Sequence, residues 1–350
     1  MTLYIIGNGF DRYHGLVTSY QAFAFFLQDN YSDIYDNIIK YYGLKDIDRD
    51  EDEDHWDPEW AVFEKAMADL NSEEILDEFT DYLANPANDD FSDGDWDTYR
   101  IEIQGVVDNL TINLFKAFKE FILQVEFPDD TENTKLHLEI KSLYLTFNYT
   151  DTLEKYYGIS KDRILYIHKS AHAKDETLIL GHGVDPQSFI PEEPKPPEGL
   201  NEEDLMNWQE QQADNFELSF EMGKDELLTY FSKSFKHTDN IINENIGFFK
   251  KINHIENIIV LGHSLSDVDM PYIKKVYESI QKNATWAVSY HRDEDKEVFK
   301  ETLVNLGVRP EDIRLVKLNE LKVNKRSFLL FLKIKNWLLN KLYFKIKNYI

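Results

Sequence analysis

The sequence predicts an α/β fold, a parallel sheet interrupted by helical insertions. Three observations carry that expectation. Short runs rich in Ile, Val and Leu recur along the chain, helical patterning separates them, and glycine or small polar residues gather where the runs end. Apolar runs of this kind, without strict alternation, belong to strands covered on both faces, the condition of a parallel sheet. A content of 42% hydrophobic and 14% aromatic residues in 350 is enough for a packed core.

The first strand is the run Leu3-Tyr4-Ile5-Ile6, ended by Gly7-Asn8-Gly9. Helical material follows from about Thr18, where Thr18-Ser19 reads as the cap of a helix opening at Tyr20. Residues 20–125 carry helical patterning broken by two acid-rich stretches. One, Asp46 to Glu59, holds nine acids, and the other runs from Asp89 to Asp97. Both read as solvated loops, and neither has the spacing of a calcium loop. Leu143 to Phe147 is the next strand; it leads into Asn148-Tyr149-Thr150 and a helix at Thr152 to Tyr156. Ile164 to His168 and Leu178 to Gly181 are further strands. The Pro- and Glu-rich segment Asp185 to Glu203 reads as an exposed linker before a second helical insertion at about 200–250. The sheet resumes at Asn257 to Gly262, and Asp269-Met270-Pro271 opens a helix with Pro in its first turn. Ala284 to Tyr290 and Ile313 to Leu318 close the sheet. The predicted organisation is one α/β domain over 1–321 with insertions at about 20–125 and 200–250, then a basic C-terminal helix over 322–350.

Charge narrows the function. The chain carries 65 acids against 38 basic residues, a net charge of −27. The segment 322–350 holds eight Lys/Arg and no acid, so the rest is more acidic still. Such a body repels nucleic acid, whose affinity comes from cations meeting phosphates. The basic tail reads as a helix docked on the body or on a second copy of the chain, making a homo-oligomer one expectation. Zero cysteines exclude disulfides, thiolate metal sites and cysteine nucleophiles. No apolar run approaches the ~18 residues of a membrane span, and the first residues lack a secretory pattern, which points to the cytoplasm.

In an open parallel sheet, ligands sit at the carboxyl ends of the strands. The notable polar groups fall there: Gly7, Asn8 and Gly9 with Asp11; Thr146 with Asn148; His168; and Gly262, His263 and Ser264. Each is also an ordinary turn residue, and Asn148 could simply cap the helix that follows it. Missing side chains at Gly7 and Gly9 would let backbone amides approach a pyrophosphate. Gly262-His263-Ser264-Leu265-Ser266 nearly matches the nucleophile elbow of serine hydrolases, which makes Ser264 a candidate nucleophile. His168, His172, His182, His263 and Asp185 crowd one half of the sequence, the raw material of a metal phosphoesterase.

The motifs Gly7-Asn8-Gly9-Phe10-Asp11, His14-Gly15-Leu16, Thr18-Ser19-Tyr20, Trp60-Ala61-Val62-Phe63-Glu64, Thr146-Phe147-Asn148-Tyr149-Thr150, Ile167-His168 and Gly262-His263-Ser264-Leu265-Ser266-Asp267-Val268-Asp269, in that order, resemble the AbiH family of bacteriophage abortive-infection proteins. More remotely, the same order is similar to sirtuin-like NAD-binding domains, with Thr150 in place of an Asp and Lys169 in place of a Gly. This resemblance implies a Rossmann-like core without the four-cysteine zinc module, so protein deacetylation is not expected. It implies NAD as substrate, a small-molecule partner, and no metal. Asn148 and His168 would be catalytic. Gly7, Asn8, Gly9, Asp11, Thr146, Gly262, Ser264 and Asp267 would line the nucleotide pocket. The implied role is phage defence through cleavage of the nicotinamide–ribose bond; a non-catalytic nucleotide or ADP-ribose sensor is the alternative.

Overall fold

A computed structural model describes residues 1–48, 58–128, 135–174, 176–192, 195–214 and 217–321. The basic helix expected over 322–350 and most of the first acid-rich stretch lie outside them. The chain divides into two compact units. One comprises Met1–Thr18, Val125–Lys174 and the chain from Asp239; the other comprises Ser19–Gln124 and Asp175–Thr238.

The first unit holds the sheet: β1 (Thr2–Ile6), β2 (Leu143–Thr146), β3 (Ile164–Tyr166), β4 (Asn257–Leu261), β5 (Thr285–Ser289) and β6 (Ile313–Val316). All neighbours are parallel, in the order β3-β2-β1-β4-β5-β6. This is a Rossmann-like arrangement. Every residue of β1 is buried, which is why its sequence reads as an unbroken apolar run. One face of the sheet packs Tyr4, Ile6, Tyr144, Ile259 and Leu261 with Phe10 and Leu153. The Tyr4 and Tyr144 rings stack at 5.0 Å in adjacent strands. The chain runs from β1 to β2 and β3 on one side and then crosses to β4 on the other side of β1, so the strand order reverses between β1 and β4. The carboxyl ends of the strands around such a reversal are where open parallel sheets hold ligands.

Two expectations need correction. Helix begins well before Thr18, because α1 (Asn8–Tyr13) starts directly after β1, with Gly7 as its N-cap. Leu178 to Gly181 is not a strand. The segment lies in the second unit, where His182 N–H donates to Ser234 O at 2.9 Å and Lys236 N–H to His182 O at 2.8 Å. A side chain on Gly181 would meet Ser234 O at 1.9 Å, so this stretch is committed to a local pairing with Phe235.

The second unit is helical in its regular elements. Ser19 caps the helix Tyr20–Asn30 by accepting from Ala22 N–H, as its sequence predicts. Trp60 and Phe63, in one of the family-like motifs, are fully buried. Glu64 beside them receives the buried Lys236 ammonium on both carboxylate oxygens, at 2.8 and 2.9 Å. The second acid-rich stretch is mostly exposed, with a short helical turn over Asp93–Asp97 tied by Ser92 and Asp95.

Candidate functional site

The carboxyl ends of β1 and β4 are joined backbone to backbone. Gly7 N–H donates to Leu261 O at 3.0 Å, and Gly9 N–H to Gly262 O at 2.8 Å. A Cβ on Gly262 would lie 2.0 Å from Phe10 N, and one on Gly9 would lie 3.0 Å from Gly262 Cα. The glycines therefore let two chain turns touch. Both amides proposed for a pyrophosphate therefore already have carbonyl partners. The Asn8 side chain is engaged as well, exchanging hydrogen bonds with Thr18 O at 2.9 Å and Thr18 Oγ1 at 2.6 Å. Of the remaining pocket residues proposed from sequence, Ser264 and Asp267 are exposed.

Asn148 does not cap a helix. The next helix, Thr152–Lys155, has Asp151 at its N-cap position. Asn148 instead donates from Nδ2 to Gly7 O at 3.1 Å, while its own N–H bonds Thr146 Oγ1 at 3.1 Å. The strand end and the first turn thus hold its amide from two sides. Its Oδ1 is buried and has no hydrogen-bond partner. A buried acceptor left unpaired costs about 1–3 kcal/mol, so this oxygen marks a place for a donor.

Asp11 lies beside Asn148 on α1 and accepts from the Thr150 hydroxyl. Burial pushes its carboxyl up to about 6, against the pull of hydrogen bonds from Thr150, Thr152 and Asn148. The negative charge of Asp151 adds to the rise. Asp151 itself meets Lys155 Nζ at 3.0 Å and His172 Nε2 at 3.4 Å.

A second cluster surrounds Phe147. Its ring packs against the His168 ring at 5.3 Å and the His263 ring at 4.2 Å. Asp269 reaches both histidines: Oδ1 lies 3.5 Å from His168 Nε2, and Oδ2 lies 3.4 Å from His263 Nε2. Asp269 holds the N-cap position of helix Met270–Ser279 yet makes no side-chain cap bond. In the sequence an Asp just before a Met-Pro helix start reads as an ordinary cap, so no sequence signal singled it out. Leu265 N–H donates to His263 Nδ1 at 2.9 Å, which puts the ring proton on Nε2, facing Asp269.

Two other chemistries lose support. In a nucleophile elbow the serine itself sits in the strained turn and a helix starts at once. Here the left-handed residues are Gly262 and Leu265, Ser264 is exposed between them, and the helix waits until Met270. The metal reading drew on His168, His172, His182, His263 and Asp185, of which His182 and Asp185 belong to the second unit. His182 is fully buried, its Nδ1 accepts from Val184 N–H at 3.2 Å, and burial lowers its pKa. Among the described residues no group of three His, Cys, Asp or Glu is arranged to hold a metal ion.

The position after His168 has a special backbone. Lys169 has φ +69°, the left-handed conformation that favours glycine, which is the residue the sirtuin-like pattern carries there.

Fold and site together define a parallel α/β protein with its polar groups collected at the switch point of the sheet. Over residues 3–290 the chain matches the family described as Bacteriophage abortive infection AbiH, and it belongs to that family. It is therefore a phage abortive-infection defence protein. No curated protein and no solved structure matches the chain, so the remoter sirtuin-like resemblance rests on the motifs alone. Among the described residues no helix is long and apolar enough to cross a membrane.

Proposed function

We propose that this AbiH protein acts in defence by binding NAD at the carboxyl ends of β1, β2, β3 and β4 and hydrolysing its nicotinamide–ribose bond. The observation that carries the reading is Asn148, whose amide nitrogen is pinned by Gly7 O while its buried oxygen lacks a donor. A ribose hydroxyl or the attacking water supplies that donor. The bond between C1′ and the nicotinamide nitrogen breaks with its electron pair leaving on nicotinamide. The sugar cation that develops is favoured by the Asp11 carboxylate next to Asn148. Water adds to C1′ and gives its proton to His168, so the products are nicotinamide and ADP-ribose. With the amides of Gly7 and Gly9 occupied, the exposed Ser264 and the loop to Asp267 are what remain for the pyrophosphate.

Purified protein incubated with NAD tests this through nicotinamide release. Asn148→Asp and His168→Ala should each slow release by about 10²- to 10⁴-fold while circular dichroism shows the fold intact. Wild-type rates in both folded variants would refute the assignment of these residues. If wild type leaves NAD intact even with infected-cell extract present, hydrolysis is wrong and a nucleotide-sensing role replaces it.

A further inference from the structure

The reaction above uses one histidine, yet Asp269 spans two. Its carboxylate sits between His168 Nε2 and His263 Nε2 at 3.5 and 3.4 Å, and all three side chains are almost entirely buried. Both spacings exceed the 2.7–2.9 Å of a tight charge-assisted bond, leaving room to close when a positive charge forms on an imidazole. Geometry distinguishes the two rings. The Leu265 amide can only donate, so His263 Nδ1 must accept and the His263 proton points at Asp269. Oδ2 faces that N–H and lies 3.5 Å from Ser266 Oγ, while Oδ1 faces His168. Phe147, packed against both rings, sets their separation.

We propose that Asp269 is a positioning residue for His168, with His263 as the donor that fixes Asp269 in turn. The arrangement follows the logic of a base oriented by a carboxylate: the carboxylate holds the ring and stabilises the imidazolium formed when the base takes its proton. The catalytic part of the proposal rests on His168 being the base; the bridge itself does not.

The test uses the full chain labelled with nitrogen-15 in histidine, with and without NAD. In wild type the ring-nitrogen signals of His263 should show the proton on Nε2. In Asp269→Asn the His168 ring signals should move. The kcat for nicotinamide release should fall about a hundredfold, with KM for NAD within about threefold. In His263→Gln kcat should fall about tenfold, a smaller loss because His263 acts through Asp269. A proton on His263 Nδ1 in wild type overturns the proposal, as do unmoved His168 signals or wild-type kcat in a folded Asp269→Asn protein. Should Asp269→Asn fail to fold, the wild-type tautomer and His263→Gln decide, and a His263→Gln protein with unchanged kcat and His168 signals overturns it. If wild type releases no nicotinamide, the hydrolase reading fails, while the nitrogen-15 signals still confirm or refute the bridge.

Discussion

Asp11→Asn is expected to make the protein more stable at neutral pH and nearly neutral in acid. Burial raises the Asp11 carboxyl from 3.8 to about 6, so the folded chain holds this proton over a range where the unfolded chain has lost it. The group therefore favours folding below pH 3.8, and that contribution is lost as pH rises through about 6. Above that, the buried charge opposes folding by about 3 kcal/mol, taking 1.36 kcal/mol per pKa unit as an order of magnitude. Asn keeps the shape, can accept the Thr150 hydroxyl and carries no charge. Part of the opposing term should then disappear, a gain of about 1–3 kcal/mol near pH 7.5 that shrinks below about 1 kcal/mol near pH 4. Thermal unfolding followed by circular dichroism at both values reads this directly, with about 2–4 °C expected per kcal/mol. An equal loss of stability at both pH values would refute the reasoning, because it would mean the hydrogen bonds to Asp11 outweigh the cost of burying it. The same substitution should lower NAD turnover, the trade expected where a site holds a charge that the fold alone would reject.

Lys169→Gly should be more stable than Lys169→Ala by about 1 kcal/mol in urea unfolding, since glycine relieves the left-handed backbone and alanine does not. Equal stability of the two would show that the backbone there carries no strain. Gly9→Val should destabilise the fold by about 1–3 kcal/mol even without nucleotide, and so lower the melting temperature, because its Cβ would press on Gly262 Cα and O at 3.0 Å. An unchanged melting temperature would show that the contact of Gly9 with Gly262 does not limit the side chain there.

Most of the sheet was legible because its strands are covered on both faces. Leu3 to Ile6 and Asn257 to Leu261 become central strands, and their near-continuous apolar sequence is the direct trace of that burial. Leu178 to Leu180 is just as apolar, and two of its three residues are buried, yet it lies in the second unit and joins no strand of the sheet. Periodicity reports that a segment is buried and cannot report what it is buried against. α1 was missed for a different reason. Two glycines and an asparagine read as a turn, yet the contact of Gly9 with Gly262 starts a helix that propensity alone disfavours. For the site, the residue types at the strand ends were visible, whereas the assembly around Asp269 was not. It depends on an Asp that declines to cap its helix and on a backbone amide aimed at one imidazole nitrogen, and neither leaves a mark in composition or spacing.

Among the described residues, the two non-glycine positions with left-handed backbone are Lys169 and Leu265, at φ +69° and +53°. Each costs about 1–2 kcal/mol. Lys169 directly follows one imidazole of the Asp269 bridge, and Leu265 carries the amide that orients the other. The same end of the sheet holds a buried carboxyl on Asp11 and an unpartnered oxygen on Asn148. Glycine at 169 would relieve one strain and an apolar side chain at 11 would remove a buried charge, with the sheet itself unaffected. Four unfavourable features, drawn from the ends of four neighbouring strands, therefore converge where a parallel sheet offers its ligand crevice. Their concentration there is what the proposed site accounts for and a set of ordinary strand-to-helix turns does not.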